Sequence, residues 1–123
     1  MSPGVDVFVV DDDHDLREVL VETIAAEAYT VSAADGGEAA LAYLCQHEPP
    51  RIVLIDVVMP GMDGAELVAR LRSDARFAAS AIVLMSASEE AAREVGAAHT
   101  VEFLRKPFDL PSMLALIAAL SRR

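Results

Sequence analysis

Short uninterrupted apolar runs alternate along this chain with segments in which apolar residues recur every third or fourth position. The clearest run is Ile52-Val53-Leu54-Ile55, β-branched and apolar throughout, which predicts a strand buried on both faces. Further runs predict a first strand over 5–10, wholly apolar at Phe8-Val9-Val10, a short second over 29–34, a fourth over 81–85 and a fifth over 99–104. After the first run, Leu16, Val19, Leu20, Thr23, Ile24 and Glu27 fall at helical spacing, with Arg17, Glu18 and Glu22 off the stripe and Asp13 or Asp15 as the cap. Ala40, Leu41 and Leu44 mark a second helix over 38–46, stopped by Pro49-Pro50. Leu67, Val68 and Leu71 face inward on a third helix over 65–73, with Glu66, Arg70 and Arg72 outward, and 74–80 reads as a loop. A short helix over 89–95 is expected to close at Gly96 as its C′ residue. The last helix starts from an Asp109 cap with Pro111 in its first turn and runs to Leu120. Strands alternating with helices of this length require right-handed crossovers and a parallel sheet covered on both faces, an α/β architecture.

Composition narrows the field. The 123 residues suffice for one domain that buries roughly two-thirds of its unfolded surface without metal or disulfides. Although 54 % of the residues are apolar, no run approaches the ~20 that a membrane span needs. The first residues lack a basic stretch followed by an apolar core, so the cytoplasm is the expected compartment. The one cysteine, Cys45, lies beside Leu41 and Leu44 and is expected to be a small core residue. A formal charge of −10, with Lys and Arg few and scattered, argues against direct binding to nucleic acid phosphates and fits cations or basic protein surfaces. His14, His47 and His99 lack ligand-like spacing.

The candidate chemistry sits where the apolar runs stop. In a parallel sheet the carboxyl ends of the strands share one rim, which is where open α/β sheets keep their ligand sites. Asp11-Asp12 follow the first strand, Asp56 the third, Ser86 the fourth and Lys106 the fifth. After Asp56, Pro60-Gly61 and Asp63-Gly64 mark successive turns. Like charges about 4 Å apart repel by on the order of 4 kcal/mol at an effective dielectric of about 20, so such a cluster raises a pKa or takes up a cation. An oxygen-only site with room for waters suits Mg²⁺. Asp56 could then act as a carboxylate nucleophile toward phosphorus, with the cation, the Lys106 ammonium and the Ser86 hydroxyl each serving one phosphoryl oxygen. Neither G-x-G-x-x-G nor G-x-x-x-x-G-K-[ST] occurs, which excludes the common nucleotide loops.

VFVVDD, VLIDVVMPGMDG, VLMSA and FLRKPF, at these intervals, resemble the four motifs of the receiver domain of two-component response regulators, and the resemblance covers essentially the whole chain. It implies a doubly wound, flavodoxin-like sheet of order 2-1-3-4-5 and a single receiver domain over 1–123. By the resemblance Asp56 is the phosphoacceptor in a phosphorelay, charged by a partner histidine kinase or phosphotransfer protein. Asp11, Asp12, Asp56 and the backbone carbonyl of Val58 would hold Mg²⁺, Ser86 would be the switch hydroxyl and Lys106 the counter-ion. Phe103 occupies the aromatic switch position, and Lys106-Pro107 is a bond often cis in that family. Such a domain is a signalling phosphoprotein rather than an enzyme, catalysing only its own phosphorylation and dephosphorylation. Two departures are Ala98-His99-Thr100, where receivers commonly carry Ala-Gly-Ala, and a slightly short interval from Ser86 to Lys106, which against that family implies a clipped or irregular fourth helix.

Two other readings stand beside it. A degenerate receiver would only bind partners. A small haloacid-dehalogenase-like phosphatase would use Asp11 and Asp13 as a D-x-D pair, but Asp109 is the only late acid before the last helix and no cap domain has room. The last helix adds a partner question. Leu110, Leu114, Ile117 and Ala118 form one apolar stripe, and Met113, Leu116 and Leu120 form a second, expected to serve a homodimer or an output domain.

Overall fold

The computed structural model describes residues 1–122. Its elements follow in the order β1 (Val7–Val10), α1 (His14–Ala25), β2 (Val31–Ala34), α2 (Gly37–Leu44), β3 (Ile52–Asp56), α3 (Gly64–Arg72), a 3-10 turn (Ala75–Phe77), β4 (Ala81–Ser86), α4 (Glu89–Ala98), β5 (Glu102–Arg105) and α5 (Leu110–Ser121). All strand pairs are parallel and the sheet order is β2-β1-β3-β4-β5, so β3 lies at its centre.

Strand periodicity divides the core between two faces. Val7, Val9, Ile52, Leu54, Val83 and Met85 point toward α1 and α5. Phe8, Val10, Val53, Ile55, Ile82 and Leu84 point the other way, toward α2, α3 and α4. β1 and β3 are buried along their whole length, as expected for interior strands that helices cover on both sides. Among the described residues no helix is long and apolar enough to cross a membrane.

Helix starts obey local chemistry. Asp13, Asp63, Ser88 and Asp109 each accept a hydrogen bond from a backbone N–H of the first turn of α1, α3, α4 and α5. Arg72, at the end of α3, donates to the carbonyls of Phe77, Ser80 and Thr100, each at 3.0 Å, and so ties the 3-10 turn and the approach to β5 onto that helix. The Lys106-Pro107 bond is cis.

Four sequence expectations are corrected. The fourth helix is not clipped: α4 continues through Gly96 to Ala98 and ends where His99 turns extended. Gly96 serves a close approach instead, because a Cβ there would lie 2.6 Å from Phe103 Cζ. Cys45 is exposed at the C-cap of α2, one position past the inward-facing Leu44. Val19 on α1 is exposed, and the buried line of that helix is Leu20 and Ile24. In α5 the supposed second stripe supplies the core, since Met113 and Leu120 are buried together with Ile117. Leu110, Leu114, Leu116 and Ala118 are only partly covered.

Candidate functional site

The register of the sheet assembles the rim. Val10 lies opposite Ile55, so Asp11 emerges beside Asp56, the last residue of β3. Asp56 in turn is opposite Met85, and Ser86, which ends β4, is opposite Arg105, the residue before Lys106. Carboxylate oxygens of Asp11, Asp12 and Asp56 lie within 4.8 Å of one another. Lys106 Nζ stands 3.3 Å from Asp11 Oδ2 and 3.5 Å from Asp56 Oδ1. Asp11 is wholly buried, Asp56 nearly so, and Asp12 is open to solvent.

One ammonium among three carboxylates leaves the pocket short of positive charge, and Asp56 shows it. Burial first, and then the neighbouring Asp11 carboxylate, push its pKa up to about 6, against the pull of Lys106 and the Val58 N–H. Asp11 is better satisfied, with Oδ1 accepting the Asp13 N–H at 2.9 Å and Oδ2 facing the lysine. An oxygen-only donor set with two buried members and one solvent-facing member suits a hard divalent cation that keeps part of its hydration.

The loop after β3 is folded back tightly. Gly64 N–H donates to Val57 O at 2.9 Å, and a Cβ on Gly64 would stand 2.4 Å from Asp56 O. Gly61 holds φ at 72°, a left-handed conformation that glycine adopts without penalty. Met59 is buried in the core beneath this loop, while the Val58 side chain points to solvent.

Ser86 ends β4 at the rim with its hydroxyl engaged elsewhere, and Phe103 lies inside β5. Ser86 Oγ donates to Ser88 O at 2.9 Å and accepts the Ser88 N–H at 3.0 Å, so its hydroxyl is committed to the turn that starts α4. Phe103 is 45 % exposed, its ring against Gly96. Both line a groove of about 450 Å³ between α4 and β5, which also includes Leu84, Ala92 and Arg93, and an ion pair of Arg105 with Glu89 spans it. Asp13 Oδ1 accepts the Leu16 N–H, so the second acid of the D-x-D reading caps α1.

Two residues at this end escaped the sequence reading. Arg17 Nη1 donates to Asp11 O at 2.8 Å. Glu38, on α2, accepts the Met62 N–H at 2.9 Å and so holds the far side of the loop after β3. Each sits on the polar face of its helix, where nothing in the local pattern separates a residue that reaches back to a loop from one that is only solvated.

Known proteins share this fold. The family model described as "Response regulator receiver domain" matches residues 7–118. The response regulator MprA of Mycobacterium ulcerans is 36 % identical over 122 residues, covering 98 % of this chain and 51 % of that protein. The transcriptional regulatory protein GltR of Pseudomonas aeruginosa is 34 % identical over 122 residues, 98 % of this chain and 50 % of that protein. The chain thus spans about half the length of these curated relatives. The chemotaxis protein CheY4 of Vibrio cholerae superposes with a TM-score of 0.85 at 27 % identity, covering 98 % of each chain.

Proposed function

Since this chain belongs to the response regulator receiver family of two-component signalling, we propose that residues 1–123 form one receiver unit that accepts a phosphoryl group on Asp56 from a histidine kinase or phosphotransfer protein in the cytoplasm. The observation that carries this reading is the convergence of Asp11, Asp12 and Asp56 within 4.8 Å, with Lys106 in reach of both Asp11 and Asp56.

Asp56 attacks as the carboxylate. A new O–P bond forms at one of its oxygens as the P–N bond of a donor phosphohistidine breaks, and the leaving imidazole takes the electron pair. The buried setting opposes ionisation, so the nucleophile depends on compensating charge nearby. Asp11, Asp12, Asp56 and the main-chain carbonyl of Val58 would hold Mg²⁺, which when bound supplies positive charge to the carboxylates and to the incoming phosphoryl oxygens. Lys106 covers another oxygen from the opposite side. Ser86 leaves the Ser88 turn to donate its hydroxyl to the phosphoryl group, and Phe103 swings from its seat on Gly96 into the groove. The change at α4 and β5 is the signal that a partner reads, with the half-covered flank of α5 available to an output domain or a second copy.

Incubation with acetyl phosphate and Mg²⁺ should add one phosphoryl group by mass, and Asp56→Asn should add none. Equal labelling of the Asp56→Asn protein would move the acceptor elsewhere.

A further inference from the structure

At the end of β1 the ladder runs out. The Asp11 N–H still bonds Ala34 O at 3.2 Å, but β2 stops at Ala34, and the Asp11 carbonyl is met by a side chain instead. Arg17 Nη1 donates to it at 2.8 Å. The main-chain N–H of the same arginine donates to Asp13 O at 2.9 Å. One residue of α1 therefore holds both ends of a three-residue turn whose middle member is Asp12. Within the turn, the Asp13 N–H bonds Asp11 Oδ1. The Asp12 carboxylate itself makes no ion pair with any described residue, so its position depends on the turn that carries it.

The other arm of the guanidinium is anchored too. Arg17 Nη2 lies 3.3 Å from His14 Nδ1, and since arginine can only donate, that nitrogen accepts. His14 Nε2 lies 3.5 Å from Glu18 Oε1 on the next turn. A planar fork can bridge a loop carbonyl and a ring nitrogen at once, which the single ammonium of a lysine does not reproduce.

We propose that Arg17 is a positioning residue for divalent-cation binding: by clamping the turn from Asp11 to Asp13 it holds the Asp12 carboxylate beside Asp11 and Asp56. The inference rests on the reading of that triad as a Mg²⁺ site. Charge and geometry pull in opposite directions here, which makes the role measurable. A cation beside a cation site weakens binding by repulsion, so deleting it for charge alone would tighten Mg²⁺. Loss of a group that orients a ligand typically loosens a metal by about 10- to 100-fold.

The test is a Mg²⁺ titration of the unphosphorylated chain, followed by amide NMR shifts around Asp11, Asp12 and Asp56, for wild type, Arg17→Ala and Arg17→Lys. Urea unfolding without Mg²⁺ checks each fold. The Mg²⁺ Kd should rise about tenfold or more in Arg17→Ala. It should stay raised in Arg17→Lys, which restores the charge without the fork and keeps the test available if the alanine variant does not fold. Affinity equal to or tighter than wild type in Arg17→Ala overturns the inference, and so does full recovery in Arg17→Lys, which would show that the guanidinium fork is not what orders the turn. A wild-type chain with no saturable shift at the triad would instead overturn the metal site itself, and the positioning role with it.

Discussion

Asp56 is the last residue of the central strand, with β1 and β4 on either side, and that place sets its protonation. Burial and Asp11 lift its pKa from an ordinary 3.8 to about 6. The folded chain therefore binds this proton more tightly than the unfolded chain does. The corresponding contribution to stability is complete below about pH 3.8 and is lost as pH rises through about 6. The lift corresponds to on the order of 3 kcal/mol at most. In a chelating buffer, Asp56→Asn should flatten the stability curve across that window and raise stability at pH 7 by about 1–3 kcal/mol. Urea midpoints at a series of pH values measure this, and a variant whose pH curve follows wild type would place the proton on another group. The identity of this acid was legible in the sequence because it ends the most apolar run beside two turn signals. Arg17 and Glu38 were not, because their partners are carbonyl and N–H groups of loops, which carry no residue-type signature.

At the scale of elements, periodicity placed every helix but not always its buried side. α5 is apolar nearly all round, so two stripes competed, and the outcome depended on which of them met Val9, Leu54 and Met85 on the sheet. Met113, Ile117 and Leu120 did. Met113→Lys should therefore destabilise the fold by roughly 3 kcal/mol or more, since an ammonium would be desolvated without a partner. Leu116→Glu, at a half-covered position, should cost about 1 kcal/mol or less. Thermal or urea unfolding of the two variants checks the ranking, and equal losses would contradict the observed rotation of the helix. α4 carries the same lesson in another form. Glycine near a helix end commonly marks a C-cap, yet Gly96 stays inside α4 to admit the Phe103 ring, a contact made across the α4–β5 connection that a window on the helix alone does not contain.

For the whole molecule, the chain carries a formal charge of −10, and three of its carboxylates gather at one rim with one lysine in reach of two of them. Cation binding there should stabilise the entire fold. At Mg²⁺ concentrations about a hundredfold above Kd, linkage gives about 2.7 kcal/mol. Urea unfolding with and without Mg²⁺ should show that gain in wild type and lose it in Asp12→Ala, whereas an undiminished gain in the variant would place the cation outside the triad. Because Asp56 must shed its proton to share a cation, the gain should also shrink as pH falls below about 6.

Sequence by itself determined the alternation of strands and helices, the burial of β1 and β3, the cap at Asp109, and the concentration of Asp11, Asp12, Asp56, Ser86 and Lys106 at strand ends. All of these follow from local rules: a period of 2 or 3.6, a side chain that closes its own helix, a turn after a buried run. Tertiary structure decided what depends on distant neighbours. It brought Lys106 to Asp11 across 95 positions, chose the buried face of α5, carried α4 through Gly96, left Cys45 in solvent and turned the Ser86 hydroxyl toward Ser88. The physical reason is that burial and hydrogen bonding act between surfaces, and a surface exists only after the sheet has ordered its strands.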